Sequence, residues 1–582
     1  MNWNLDDLYL GFDETYQKDL VKMNELMDQY IKHIESPMKD DVSYIEGYLT
    51  LSDTMTKLLR TLASYASLRM STDVTNQEAL VYMSKIQQIG RKATAQNVAF
   101  TRYLKTVDLD LLSKKSSLIK HYLFNLKKEQ EEAIHLLSEK EEVLYSKLSE
   151  LGSSSWGQLQ SVLTSNVNVN YRDQVITLPE VRNLAYEKDP SVRIDAYEAE
   201  LKAYEVIEDA VSLALSNIKR EVNTMNELRG YQSALDKTLL QSNMTKKTLD
   251  AMLNAMKDYR VHFANYLKEK AKYLGYKGSL PFYEMFAPVG KLEKTYTYDE
   301  AQALVKEGFY SYSDRLGDFA KKAFDHHWID PFPKKGKRGG AFCSNQPQIK
   351  QSRILSNFTG SLSDCLTLAH ELGHGYHGDV ISQNSPLHWS YPMPLAETAS
   401  IFCETIMNNH LLKTMTKPEE RLSILENSLQ GDTQVIIDIL SRYFFETSLF
   451  EKASGPVSKH QMKEMMIKAQ KEAYLDGLDH EILHPYMWLN KGHYYSARLN
   501  FYNFPYAFGL LFGKGLYAQY LKDPMSFKEK YDDLLRVTTQ ADIVDVAKTM
   551  HIDVEDEQFW TDSLEMVKKD IDEVISLFHK VV

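Results

Sequence analysis

The sequence predicts a mainly α-helical globular protein, and three observations carry that expectation. Over long stretches apolar residues recur at three- and four-residue steps, as one buried face of a helix requires. Glycine and proline are sparse, 25 and 16 among 582 residues, so helices are seldom interrupted. Hydrophobic residues at 43% and charged residues at 25% are ordinary for a soluble chain with a sizeable core.

From Glu14 to about Asn166 the chain reads as successive amphipathic helices, "DLVKMNELMDQYIKHI" and "NQEALVYMSKIQQIGRKATAQNVAFTRYLKTV" among them, with breaks at "ESPMKDD", "STDVTNQ" and "GSSSWG". The segment "VNVNYRDQVITLPEVRNLAYEKDPSVR" differs: a short alternating run suits strands, and Pro179 and Pro190 mark connections. A boundary is therefore expected near residue 195, dividing the chain into an N-terminal helical lobe over 1–195 and a second domain over 196–582. Helices resume at "RIDAYEAELKAYEVIEDAV" and run to about Lys322, interrupted at "YLGYKGSLPFYEMFAPVG". The next stretch, "WIDPFPKKGKRGGAFCSNQPQIKQSRILSNFTG", is the least helical and suits short strands or loops. Ser361 or Ser363 can then cap a new helix by accepting a free backbone N–H. No fixed-period repeat or low-complexity tract is present.

Bulk properties exclude several functions. A formal charge of −12 opposes general nucleic-acid binding, which needs a basic surface to displace counterions from phosphate. No apolar run approaches the roughly 18 residues of a membrane span, and the acidic opening "MNWNLDDLYLGFDETY" lacks the basic-then-apolar pattern of a secretory signal. Three cysteines, Cys343, Cys365 and Cys403, suit a reducing compartment, so a cytoplasmic protein is expected. Each reads as a small buried residue without an assigned role. Nothing fixes the oligomeric state.

The chemistry concentrates in "TLAHELGHGYHGDV", residues 367–380. On a helix His370 and His374 project from one face, four residues apart, so their imidazoles can converge on one metal ion. Glu371 points about 100° away and can act on a water beside that ion without being a ligand. This is the arrangement for metal-assisted peptide hydrolysis. A catalytic zinc takes three protein ligands and keeps a position open. An extended pattern with a third histidine six residues after His374 fails, because Val380 occupies that place and His377 replaces the required glycine. The third ligand is expected instead at Glu397, in "PMPLAETASIFCETIMNNHLL", on a following helix. Glu404, two turns along the same face, can orient a ligand histidine through its ring N–H. His377 reads as a neighbour of the site, not a ligand. His326 and His327 are adjacent, face different ways on a helix, and read as structural.

The pairing of "AHELGHGYH" with "LAETASIFCE" resembles the M3 family of zinc metallopeptidases, within it the oligoendopeptidase F-like group. The likeness extends to "WNLDDLYLGFDETY", "GKRGGAFC", "SRILSNFTGSLSDCLTLAHELGH" and "FYNFPYAFG", so it covers most of the chain. It implies a two-lobed helical zincin-type peptidase with a deep central channel admitting short peptides, and a small β element beside the active-site helix. It further implies one zinc ion on His370, His374 and Glu397, Glu371 as base, and residues 196–582 as the catalytic domain.

By spacing alone the tyrosine-rich stretch "HPYMWLNKGHYYSARLNFYNFPYAFGLLFGKGLYAQY" reads as core. The resemblance singles out Tyr502 and Tyr506, and His493 upstream, as groups that hold the oxyanion or the peptide. In "KRGGAF", Gly339 and Gly340 allow close backbone approach, so an extended peptide can pair with a strand edge there, at Ala341. The expected activity is hydrolysis of internal bonds in short peptides, which are the only partners expected, with no nucleic acid or membrane. Two other readings stand beside it: a zinc carboxypeptidase of related helical fold, which needs a basic pocket for the terminal carboxylate, and a noncatalytic helical peptide-binding protein.

Overall fold

A computed structural model describes residues 2–290 and 294–581. Helices dominate, as the periodicity predicts, and among the described residues strands form two small sheets. The first is an antiparallel hairpin of β1 (Val169–Tyr171) and β2 (Gln174–Ile176) in the alternating run. The second lies in the glycine- and proline-rich stretch: β3 (Ile329–Asp330), β4 (Phe342–Gln346) and β5 (Gln351–Leu355), in the order β3-β5-β4. There β5 runs parallel to β3 and antiparallel to β4, which leaves β4 at the sheet edge.

The chain divides into two compact, interleaved units. Unit 1 comprises Met1–Leu136, Lys294–Leu411 and Tyr520–His551; unit 2 comprises Leu137–Glu293, Leu412–Gln519 and Ile552–Val582. Packing therefore does not follow the linear division at residue 195. That position falls inside one uninterrupted helix, Pro190–Leu228, started by Pro190 itself and capped by Asp189. Proline at a first helical turn opens a helix as readily as it closes one, and here it opens one. One expected break narrows and one expected helix is divided. "GSSSWG" breaks only at Gly152, its serines beginning the next helix, and "NQEAL…KTV" divides at Lys92 and Ala93.

In unit 1, α1 (Glu14–Glu35) and α2 (Asp41–Thr72) are capped by Asp13 and Asp40, whose side chains accept the N–H groups of Tyr16 and Ser43. Their buried faces, with Tyr16, Met23, Leu62 and Tyr65, share one core with Leu355 of β5 and the half-buried Phe342 of β4. The N-terminal helices thus support the sheet beside which the histidine motif sits. Unit 2 has its own core around Tyr204, Leu215, Trp488 and Tyr494. It also contains a π-helical turn, Gln434–Asp438, and buried ion pairs such as Lys219 with Glu446 at 2.9 Å. Among the described residues no helix is long and apolar enough to cross a membrane.

Candidate metal centre

The motif lies on α3 (Leu362–Ile381) of unit 1. Ser361 caps it, accepting Asp364 N–H at 3.1 Å, while Asp364 accepts the N–H groups of Thr359, Gly360 and Ser361. One face, with Leu368, Ala369, Leu372 and Val380, is fully buried. The helix is held on its other sides by polar clamps. Tyr376 Oη donates to Asp532 at 2.6 Å. Thr538 gives its hydroxyl hydrogen to Leu535 O, so its oxygen accepts from Nε2–H of His377 at 2.9 Å. Asn345 of β4 donates from Nδ2 to His374 O at 3.1 Å, and Gly378 leaves room for that side chain: a β-carbon at 378 would lie 2.2 Å from it.

The next helix, α4 (Thr398–Thr414), comes close to α3 at Gly373, between the two histidines and next to His374. Glu397 was expected on this helix and instead stands immediately before it, its carbonyl accepting Ile401 N–H at 3.0 Å. The 3-10 turn Met393–Leu395, set by Pro392 and Pro394, delays the helix start. Ser400 Oγ donates to Glu397 Oε2 at 2.8 Å and fixes the carboxylate.

His370, His374 and Glu397 converge, with donor atoms all within 4.8 Å of one another. Glu397 Oε2 is 3.2 Å from His370 Nε2 and 3.3 Å from His374 Nε2. Two ligands about 2.0–2.1 Å from a tetrahedral zinc stand about 3.3 Å apart, so this donor set and its spacing fit that ion. Glu404 Oε2 accepts from His370 Nδ1 at 3.1 Å, which turns Nε2 to face the centre. Burial disfavours a charge on His370, but hydrogen bonds to Glu397 and Glu404 outweigh it and raise the ring to about 10. Burial also opposes charge on Glu397, yet its hydrogen bonds to both histidines hold its carboxyl well below the usual range. The cluster strongly favours a cation.

Glu371 is outside this donor set and only 7% exposed. Burial raises its pKa, the two neighbouring histidines oppose that rise, and the backbone N–H of Cys343 faces its carboxylate. That is the environment of a base tuned upward, towards neutrality. His377 is likewise outside the donor set; it is fully buried and stacks on Tyr391, with ring centroids 4.2 Å apart. Cys343 is half-buried, Cys365 and Cys403 are buried, and all three are free.

The remaining sequence candidates fall in two places. Gly339, Gly340 and Ala341 lead into the edge strand β4; both glycines are exposed, and Gly340, at φ +79°, uses the left-handed region. His493, Tyr502 and Tyr506 form a cluster within unit 2. The two tyrosine hydroxyls are 2.8 Å apart, and His493 stacks on Tyr502 while its Nε2 accepts from Asn503 Nδ2 at 2.9 Å. Burial, with Arg442, Lys219 and Lys491 nearby, pushes His493 down to about 3, so the ring is neutral. His326 and His327 are exposed at the end of the helix Asp314–Asp325. Residue-type reasoning missed Asn345 and Ser400, which orient the motif through a backbone carbonyl and a ligand carboxylate. Neither carries a sequence signal of its own.

The sequence profile described as Peptidase family M3 matches residues 183–566, and that described as Oligopeptidase F matches residues 108–168. Oligopeptidase PepF of Bacillus subtilis is 24% identical over 597 residues, covering 100% of this chain and 87% of that protein. An oligoendopeptidase F homolog of Lactococcus lactis subsp. lactis is 24% identical over 606 residues, covering 100% of this chain and 98% of its own length. Among solved structures, one from Chlamydophila abortus superposes with a TM-score of 0.86 at 21% identity, covering 99% of this chain and 98% of that one. Oligoendopeptidase-F from Enterococcus faecium gives 0.72 at 17% identity, with 98% and 99% covered.

Proposed function

This chain belongs to peptidase family M3, and from that premise we propose that it is a zinc-dependent oligoendopeptidase, hydrolysing internal bonds of short peptides with one zinc ion held by His370, His374 and Glu397. The observation that carries the reading is the three-donor cluster with Glu371 beside it but outside it. The names of its relatives, oligopeptidase and oligoendopeptidase F, support the substrate class. When bound, zinc supplies Lewis acidity that polarises a peptide carbonyl and makes water a better nucleophile near neutral pH. Glu371 takes the proton from the attacking water on its carboxylate and passes it to the departing amine. Glu404 holds His370 in the tautomer that turns Nε2 to the centre. Tyr502, Tyr506 and His493 supply donors for the oxyanion or the peptide backbone. The run Gly339, Gly340, Ala341, its two glycines exposed, and the edge strand β4 take the substrate in extended form, through backbone groups and with little regard to its side chains. Short peptides are the only partners in this reading, with neither nucleic acid nor membrane, and three free cysteines suit the cytoplasm.

Mass spectrometry of products from a mixed peptide pool, with and without chelator, tests the proposal. Internal cleavage of peptides blocked at both ends, lost with chelator and restored by zinc, is expected. Trimming confined to free C-termini, or full turnover under chelation, would overturn it.

A further inference from the structure

A cavity of about 260 Å3 opens within unit 2, close to the lower end, about 300 Å3, of small-molecule sites. Its wall is aromatic and thioether. The rings of Tyr186 and Phe286 stand 5.1 Å apart, those of Tyr197 and Tyr283 stand 5.6 Å apart, and Met285 and Met487 lie beside them. Such a surface receives a flat or branched apolar body.

The charges on the wall are unevenly matched. Arg193 pairs with Glu284 at 2.5 Å, Arg182 with Glu200 at 3.4 Å, and Asp438 with Arg442. Lys491 also lines the cavity, half-buried, and among the described residues its ammonium makes no hydrogen bond or ion pair. Burial, with Arg442 and Arg182 close by, pulls its pKa down to about 8 against the opposing pull of Asp438 and Glu200, so the ammonium is still the main form at neutral pH. A largely desolvated ammonium with no carboxylate in direct contact is a costly arrangement that an anionic ligand relieves. The wall is also where the π-helical turn lies: its first and last residues, Gln434 and Asp438, both face the cavity. Turns of this kind are rare and concentrate at functional sites.

We propose that this cavity is a ligand site for a small carboxylate bearing an aromatic or branched apolar group, with Lys491 taking the carboxylate and the Tyr186, Phe286 and Tyr283 wall taking the apolar group. The C-terminal residue of a peptide and a free carboxylic acid of that shape share this chemistry. Every residue that forms it belongs to unit 2 and none is a metal donor.

The test uses the full-length zinc-loaded protein with carbon-13-labelled methionine methyls at pH 7, titrated with N-acetylphenylalanine, its carboxamide and phenylpropionate. N-acetylphenylalanine is expected to shift the Met285 and Met487 resonances and to bind about tenfold or more tightly than the carboxamide. In Lys491→Met that preference disappears; in Lys491→Arg it persists. Binding of phenylpropionate with the same preference assigns the site to carboxylic acids in general, whereas its failure beside N-acetylphenylalanine binding assigns it to a peptide C-terminus. Equal affinity for acid and carboxamide in the unaltered protein, absence of shifts at both methionines, or unchanged acid binding in Lys491→Met would overturn the proposal. The carboxamide comparison needs no variant, so the proposal remains testable even if Lys491→Met folds poorly.

Discussion

Gly373 and Ser400 meet almost backbone to backbone: a β-carbon on Gly373 would lie 2.6 Å from the Ser400 Cα and 2.7 Å from the Ala399 carbonyl oxygen. The glycine between the two histidines therefore sets how near α4 comes to α3, and with it where Glu397 stands.

Gly373→Ala should push the start of α4 away and draw Glu397 off the two imidazoles. Overpacking of this kind costs about 1–3 kcal/mol of stability. The sharper effect is expected in zinc affinity, a loss of about ten- to hundred-fold in a chelator competition. Gly431→Ala is the control, since no atom lies within 4 Å of a β-carbon there. Equal zinc affinity in the two variants would refute this role for Gly373.

Glu404→Ala leaves all three donors in place and removes only the acceptor for His370 Nδ1–H. Zinc affinity should fall about ten- to hundred-fold, the usual cost of losing such a partner. The same competition measures it, and unchanged affinity would show that His370 is oriented by other means.

Glu371→Gln keeps the donor set and removes the proton acceptor. Metal analysis should find zinc at the unaltered stoichiometry, while kcat falls by about a hundred- to ten-thousand-fold. Full turnover in this variant would eliminate the residue as base.

Burial in apolar surroundings lowers the His377 ring to about 3, far below the ordinary value of about 6.5 for an unfolded chain. Below pH 6.5 the unfolded chain takes up a proton that folded His377 refuses, so the stability tied to its neutral form is complete above that pH. It is lost as pH falls towards about 3. Linkage puts the loss between pH 6.5 and 5 at about 2 kcal/mol from this residue. Urea unfolding at several pH values should show the slope, reduced in His377→Gln. A pH-independent midpoint in the native protein would contradict it.

Much of this molecule was legible in its sequence, because the strongest signals are periodic or local. The three- and four-residue apolar repeat predicts the helices, and the spacing of His370, Glu371 and His374 predicts their facing. What escaped was set by contacts distant in sequence. Residue 195 looked like a boundary because two prolines flank a polar stretch, yet Pro190 is the first residue of a 39-residue helix. The interleaving of the units leaves no mark on composition. Asn345 and Ser400 are ordinary residues locally; only folding brings one to the His374 carbonyl and the other to the Glu397 carboxylate. His377 read as a neighbour of the site, but spacing did not show its burial against Tyr391 and Thr538.

Interleaving also bears on how the chain is made. Each unit draws on three separate stretches, so translation passes between them five times before the last residue is added. All three metal donors have been added by residue 397, yet Asp532 and Thr538, which hold Tyr376 and His377, are still unmade. A nascent chain therefore carries a complete set of zinc donors while the helix bearing two of them still lacks two of its clamps. Premature termination near residue 510 should yield a chain that binds zinc weakly and has no peptidase activity.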